Sequence, residues 1–194
     1  MNRSQLVAAV KNYLGRQNLS STDVTTMIQS VEGELSRALK EHPRSQRRTY
    51  FVQPADDAMI PLPADMMQAI TLRTDKANYT QYPPDAREAA KTAGNSFIAR
   101  GDAFEVFPMP TEPTTFYLDY CAALRPLSTD LDTNWVSTYF SDIYLYGTLK
   151  ESAIYLKDDG RFQLWQAEFA RRAEELIAEG WNQNITTVPR IRLG

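Results

Sequence analysis

Between residues 135 and 181 the apolar positions recur densely and with a helical period. Ile143, Tyr146, Leu149, Ala153 and Leu156 follow one another at spacings of three and four, and Tyr144, Leu145 and Tyr155 add a second strip. A helix that is apolar on two sides needs neighbours on two sides. Past Lys157-Asp158-Asp159-Gly160, residues Phe162, Trp165, Phe169, Leu176 and Ile177 share one face, while Glu168, Arg171, Arg172, Glu174, Glu175 and Glu179 fall elsewhere. This predicts an amphipathic helix, joined to the first at a polar corner where Asp158 or Asp159 caps it.

Two shorter stripes lie near the N-terminus. Leu6, Val7, Val10 and Leu14 predict a helix over 3–15 that ends at Gly15. Val24, Met27, Ile28, Val31, Leu35, Ala38 and Leu39 predict a longer one, capped by Thr22 or Asp23 and stopped by Pro43.

From Arg48 the texture changes to short β-branched and aromatic runs punctuated by proline. Strands are predicted at 49–53, 59–62, 69–73, 96–100, 103–107 and 114–121. Gly101-Asp102 supplies a tight hairpin turn. Residues 63–67 read as a single helical turn, and 84–93 as a short exposed helix ending at Gly94.

The expected fold is therefore α+β and mainly α. A helical bundle is built from 1–42 and 135–181, a β-rich insertion occupies 43–134, and an extended C-terminal arm covers 182–194. The arm, NQNITTVPRIRLG, carries Arg190 and Arg192, no acidic residue, and apolar Ile185, Val188, Ile191 and Leu193. Such a segment suits an extended lie along a partner's surface or edge. The plainer reading is a frayed terminus.

Composition narrows the function more than the fold. At 194 residues and 43% hydrophobic content the chain buries a substantial core, yet no apolar run approaches the ~20 residues of a membrane helix. Lys11, Asn12 and Arg16 interrupt the first stripe, so it reads as mature protein rather than a secretory signal. A net charge of -3 argues against a surface built throughout to hold phosphate backbones. Cys121 is the single cysteine, which excludes an intramolecular disulfide and a cysteine metal cluster and fits a reducing cytoplasm.

Catalytic chemistry finds little support. The lone histidine, His42, stands at a helix end before Pro43, where its ordinary role is a favourable interaction with the helix dipole. Asp56-Asp57 and Asp158-Asp159 sit at predicted turns, and their adjacent carboxylates diverge. The glycines form neither a GxGxxG nor a Walker pattern. No catalytic, cofactor or metal site is assigned.

Two groups remain. Arg44, Arg47 and Arg48, with Lys40 a turn earlier, are suited to grip phosphates or a partner's carboxylates, or form a solvated link. Tyr139, Phe140, Tyr144, Tyr146, Tyr155 and Trp181 exceed what a small helical core readily hides, so some are expected at intersubunit contacts.

A further set of residues, in order along 22–177, carries a family resemblance. It comprises Leu62-Pro63-Ala64-Asp65-Met66, the Gly101 hairpin leading to Phe107-Pro108-Met109-Pro110, and the strand from Phe116 to Tyr120. Trp135 and Ile143-Tyr144-Leu145-Tyr146-Gly147 follow, with Leu149, Glu151, Ala153, Tyr155-Leu156-Lys157-Asp158-Asp159, Arg161, Trp165 and Phe169. Together they resemble the head-to-tail connector, or adaptor, proteins of tailed bacteriophages, the short-tailed type in particular. Thr148, Ser152 and Gly160 depart from the pattern, two where alanine-like residues are expected and one where a longer polar residue is.

The resemblance implies a non-enzymatic virion protein, made in the host cytoplasm and placed at the head-tail interface. It implies a dodecameric ring beneath the portal protein, a tail or nozzle protein on the other face, and DNA passing through the lumen, with no membrane partner. The arm, through Ile185, Val188, Arg190, Ile191, Arg192 and Leu193, would reach into the portal. The competing reading is a nucleic-acid-binding or DNA-packaging accessory protein that uses Arg44, Arg47 and Arg48.

Overall fold

The computed structural model describes residues 1–15 and 19–186, with side chains as far as Gly180. The chain separates into two compact units. One is Met1–Ser45 together with the chain from Leu124 onward, and the other is Gln46–Ala123.

The first unit is helical. It contains α1 (Arg3–Leu14), α2 (Ser21–Ala38), a 3-10 turn at Pro43–Ser45, α4 (Trp135–Tyr139), α5 (Ser141–Leu156) and α6 (Asp159–Thr186). Local chemistry sets the ends. Asn2 and Gln5 form a capping box at the start of α1, and Gly15 closes it in the left-handed conformation. Ser20, and not the expected Thr22 or Asp23, caps α2, accepting the Thr22 N–H. Asp158 accepts the Arg161 N–H at the start of α6, as the polar corner predicts.

The two apolar strips of α5 are explained by its neighbours, since α5 packs against α2 on one side and α6 on another. Ile143, Tyr144, Leu149 and Ala153 are buried in a core shared with Val24, Ile28, Val31 and Leu35 of α2 and Trp165, Phe169 and Leu176 of α6. The two hydroxyls that depart from the family pattern fit this interior. Thr148 Oγ1 donates to the Tyr144 carbonyl at 2.8 Å and Ser152 Oγ to the Thr148 carbonyl at 2.7 Å, so neither is buried unsatisfied.

The second unit corrects the expectation of a mainly α bundle with a β-rich insertion. Its strands, β1 (Gln46–Gln53), β2 (Met59–Pro61), β3 (Met66–Arg73), β4 (Asn78–Tyr82), β5 (Ser96–Arg100), β6 (Ala103–Phe107) and β7 (Thr114–Ala122), form one mixed seven-stranded sheet in the order β1-β7-β3-β4-β5-β6-β2. The sheet curls into a nearly closed barrel. At the gap, the buried Gln53 at the end of β1 donates from Nε2 to the Met59 carbonyl of β2 at 3.1 Å. The unit has its own core of Ile60, Leu72, Phe97, Phe104, Val106, Phe116 and Leu118, so it is a full structural partner of the helices and not an appendage.

Two local readings change with it. Residues 63–67 are not a helical turn: Met66 opens β3 opposite Ala122, and the Ala123 N–H bonds the Asp65 carbonyl at 2.7 Å. β4 has no aliphatic residue to announce it, and it is made a strand by parallel pairing with β5. The connection between them carries a 3-10 turn (Pro84–Ala86) and α3 (Arg87–Ala93), the crossover that parallel strands require.

Candidate functional site

The residues singled out for contacts are sorted by two simple rules, strand alternation and helix burial. Arg47 and Arg48 are neighbours in β1 and therefore point to opposite faces of the sheet. Arg48 is committed to Asp119, with its Nε 2.6 Å from Oδ1 and its Nη2 3.1 Å from Oδ2. That guanidinium and the Thr71 hydroxyl hold the Asp119 carboxyl below its usual range. Arg44 precedes the strand, in the 3-10 turn. Within β1, Arg47 and Arg48 therefore do not share a face.

The aromatics divide as clearly. Tyr144 is wholly buried, Tyr155 is 56% exposed and Tyr139 is 67% exposed. Tyr155 lies beside Met27 and Ile154 in a shallow groove between α2 and α5, where its hydroxyl donates to Asp23 at 3.4 Å. Trp181 and Ile185 belong to the backbone of α6, but their side chains lie outside the described residues. The arm does not begin extended at 182, because α6 continues to Thr186. Val188, Arg190, Ile191, Arg192 and Leu193 lie outside the described residues.

One constellation has built-in order. Asn134 caps α4 by accepting the Ser137 N–H at 2.8 Å, and its own N–H is bonded in return by the Ser137 hydroxyl at 2.9 Å. The N-terminal amine of Met1 donates to the Ser137 carbonyl. This fixes Trp135 and Tyr139 on a short rigid helix. The Arg44 guanidinium then lies over both rings, 5.9 Å from the Trp135 centroid and 4.9 Å from that of Tyr139.

His42 supports the platform from beneath. Its ring stacks on Trp135 at 4.8 Å, and its Nδ1 accepts the Arg44 N–H at 3.1 Å. An accepting Nδ1 puts the proton of a neutral imidazole on Nε2, which is buried without a partner among the described residues. Burial first, then the nearby Arg44 charge, pushes the His42 pKa below its ordinary value, with Glu179 opposing. Burial and the Arg44 charge both disfavour a charged histidine at the end of α2.

Gly180 makes this packing feasible. A Cβ there would stand 2.5 Å from His42 Cδ2 and 2.9 Å from Nε2. The approach justifies a glycine inside α6, where it costs about 1 kcal/mol against alanine. On the outer side, Arg37, Lys40, Glu41, His42, Ile177 and Gly180 line a cavity of about 420 Å³.

A pH dependence follows. Below about pH 6.5 the unfolded chain protonates its histidine while the native chain resists. Stability is thus fully present above that pH and is lost as pH falls through the depressed native pKa. Urea midpoints at pH 7.5 and 5.5 are expected to differ less in His42→Phe than in the wild type. An equal difference in both proteins would contradict a buried neutral His42.

No group of three or more His, Cys, Asp or Glu among the described residues is placed to hold a metal ion. Among them, no helix is long and apolar enough to cross a membrane. What the site offers is recognition, through a preorganised cation and aromatic surface. Trp135 directly follows the polar, turn-forming run that ends at Asn134, and its partnership with His42 and Arg44 has no signal in the sequence.

A protein-family model described as SU10 adaptor protein matches residues 1–191. No curated protein matches the chain.

Proposed function

The chain belongs to the SU10 adaptor protein family, a family of phage head-to-tail adaptors, and from that premise we propose that it assembles as a ring between the portal and the tail. The family is a structural one, and its members are components of the virion. The observation that carries the reading is the match along nearly the whole chain, including both the helical and the β unit.

In this reading α2, α5 and α6 form the wall, since their packing gives a rigid body without relying on the rest of the chain. The C-terminal residues beyond α6 engage the portal, with Arg190 and Arg192 pairing to its carboxylates and Val188, Ile191 and Leu193 supplying apolar contact. The opposite side of the ring receives a tail or nozzle protein. A net charge of -3 suits a lumen through which DNA slides without being held.

The test is electron microscopy of the full chain with and without portal, beside a version lacking residues 187–194. That deletion leaves α6 intact. Rings on the portal are expected for the full chain, and portal docking is expected to be lost in the deletion with circular dichroism unchanged. A chain that never binds portal would sink the adaptor reading, and docking that survives the deletion would sink the role of the arm.

The nucleic-acid reading draws less support, since Arg47 and Arg48 point to opposite faces of β1 and Arg48 is paired with Asp119.

A further inference from the structure

Resting on the ring reading, we propose that the Arg44–Trp135–Tyr139 platform is an intersubunit contact that takes a carboxylate from α6 of a neighbouring copy. Arg44 forms no ion pair among the described residues, although it is held over two rings. A guanidinium immobilised in this way has already lost much of its rotamer freedom, so a new charge-assisted bond costs little ordering. Trp, Tyr and Arg are the residue types that dominate binding hot spots. Tyr139 places 67% of its surface in solvent while its helix is capped and pinned, which is the state of a contact residue waiting for cover.

The occupant follows from charge. Asp159 and Glu174 are exposed carboxylates of α6 that form no ion pair among the described residues. Platform and carboxylates are different residues of the same chain, and the ring reading on which this contact rests pairs them head-to-tail. Such heterologous contacts close rings, whereas a patch that pairs with itself stops at a dimer. DNA is a poorer occupant, since the platform's one arginine supplies too few phosphate contacts.

Charge reversal tests the contact in the full-length chain. Sedimentation and native mass spectrometry, with portal added as template, would compare wild type, Arg44→Glu, Tyr139→Ala, and Arg44→Glu combined with Glu174→Lys or Asp159→Lys. The single variants are expected to weaken self-association about tenfold or more. One of the double variants is expected to recover it, because every copy then carries both reversed halves. Tyr139→Ala guards against misfolding, since its ring is mostly in solvent and circular dichroism should not change.

Rings that still form in both the Arg44→Glu and the Tyr139→Ala variants overturn the contact alone. Failure of both double variants to recover assembly overturns its assignment to α6. Loss of DNA retention or of portal binding with self-association intact overturns the choice of occupant. A wild-type chain that stays monomeric on the portal overturns the ring reading and this contact together.

Discussion

Gly147→Leu is expected to destabilise the helical unit by about 3 kcal/mol or more, a fall in melting temperature of roughly 6–12 °C. Gly147 lies where α5 passes between α2 and α6. A Cβ at this position would stand 2.8 Å from Val31 Cγ1 and 3.0 Å from Phe169 Cε2. Val31 is fully buried and β-branched, so it has no open rotamer into which to retreat. A leucine must therefore push α2 or α6 off α5 and expose the core they share.

Gly147→Ala is the sharper control. Helix propensity alone favours alanine by about 1 kcal/mol, while the contact with Val31 opposes it. Destabilisation is expected, read as a lower urea midpoint by tryptophan fluorescence. A more stable alanine variant would show that the helices do not approach this closely.

Tyr144→Ala is expected to cost about 4 kcal/mol, and Tyr144→Phe about 1–3 kcal/mol. The ring is wholly buried, so alanine leaves a cavity in the middle of the bundle. The phenylalanine change isolates the hydroxyl. That oxygen accepts from Asn134 Nδ2 at 2.6 Å and donates to Glu32 Oε1 at 3.4 Å, while Glu32 also accepts the Leu127 N–H at 2.7 Å. Burial pushes the Glu32 carboxyl up, and these two donors hold it partly down. Removing the hydroxyl strips one donor from a buried carboxylate, and the Asn134 Nδ2 group is left donating to the Arg125 carbonyl. Equal stability of Tyr144→Phe and wild type would mean that this network contributes nothing net.

These two residues also indicate how far the sequence was legible. Gly147 and Tyr144 both stand in the run that carries the family resemblance, so their place was marked before their role was known. The β5–β6 hairpin was readable because its cause is local: Gly101, with φ of 64°, turns the chain between two alternating runs. β4 was not, since Asn78–Tyr82 has no aliphatic residue and depends on β5 for its identity. Met66 and Met67 misled for the opposite reason, being good helix formers that β7 draws into a sheet.

The candidate site divides along the same line. Trp135, Tyr139 and Arg44 are visible in the sequence as an aromatic pair and a basic residue. Their union is not, because Arg44 and Trp135 are far apart along the chain and meet only when α4 packs against the turn after α2. Tyr139, Tyr144 and Tyr155 look alike on the page, yet one is core and two are surface.

By itself the sequence determined where the main helices run, where Gly15 and Asp158 bound them, and which family the chain belongs to. Periodicity and capping depend on neighbours within a few residues, which any sequence displays. The tertiary structure alone decided that the middle is a near-closed sheet, that burial lowers the His42 pKa, that Gly147 and Gly180 are close-approach sites, and which tyrosines face outward. Each of these rests on atoms brought together from distant parts of the chain, and spacing along a sequence carries no record of that distance in space.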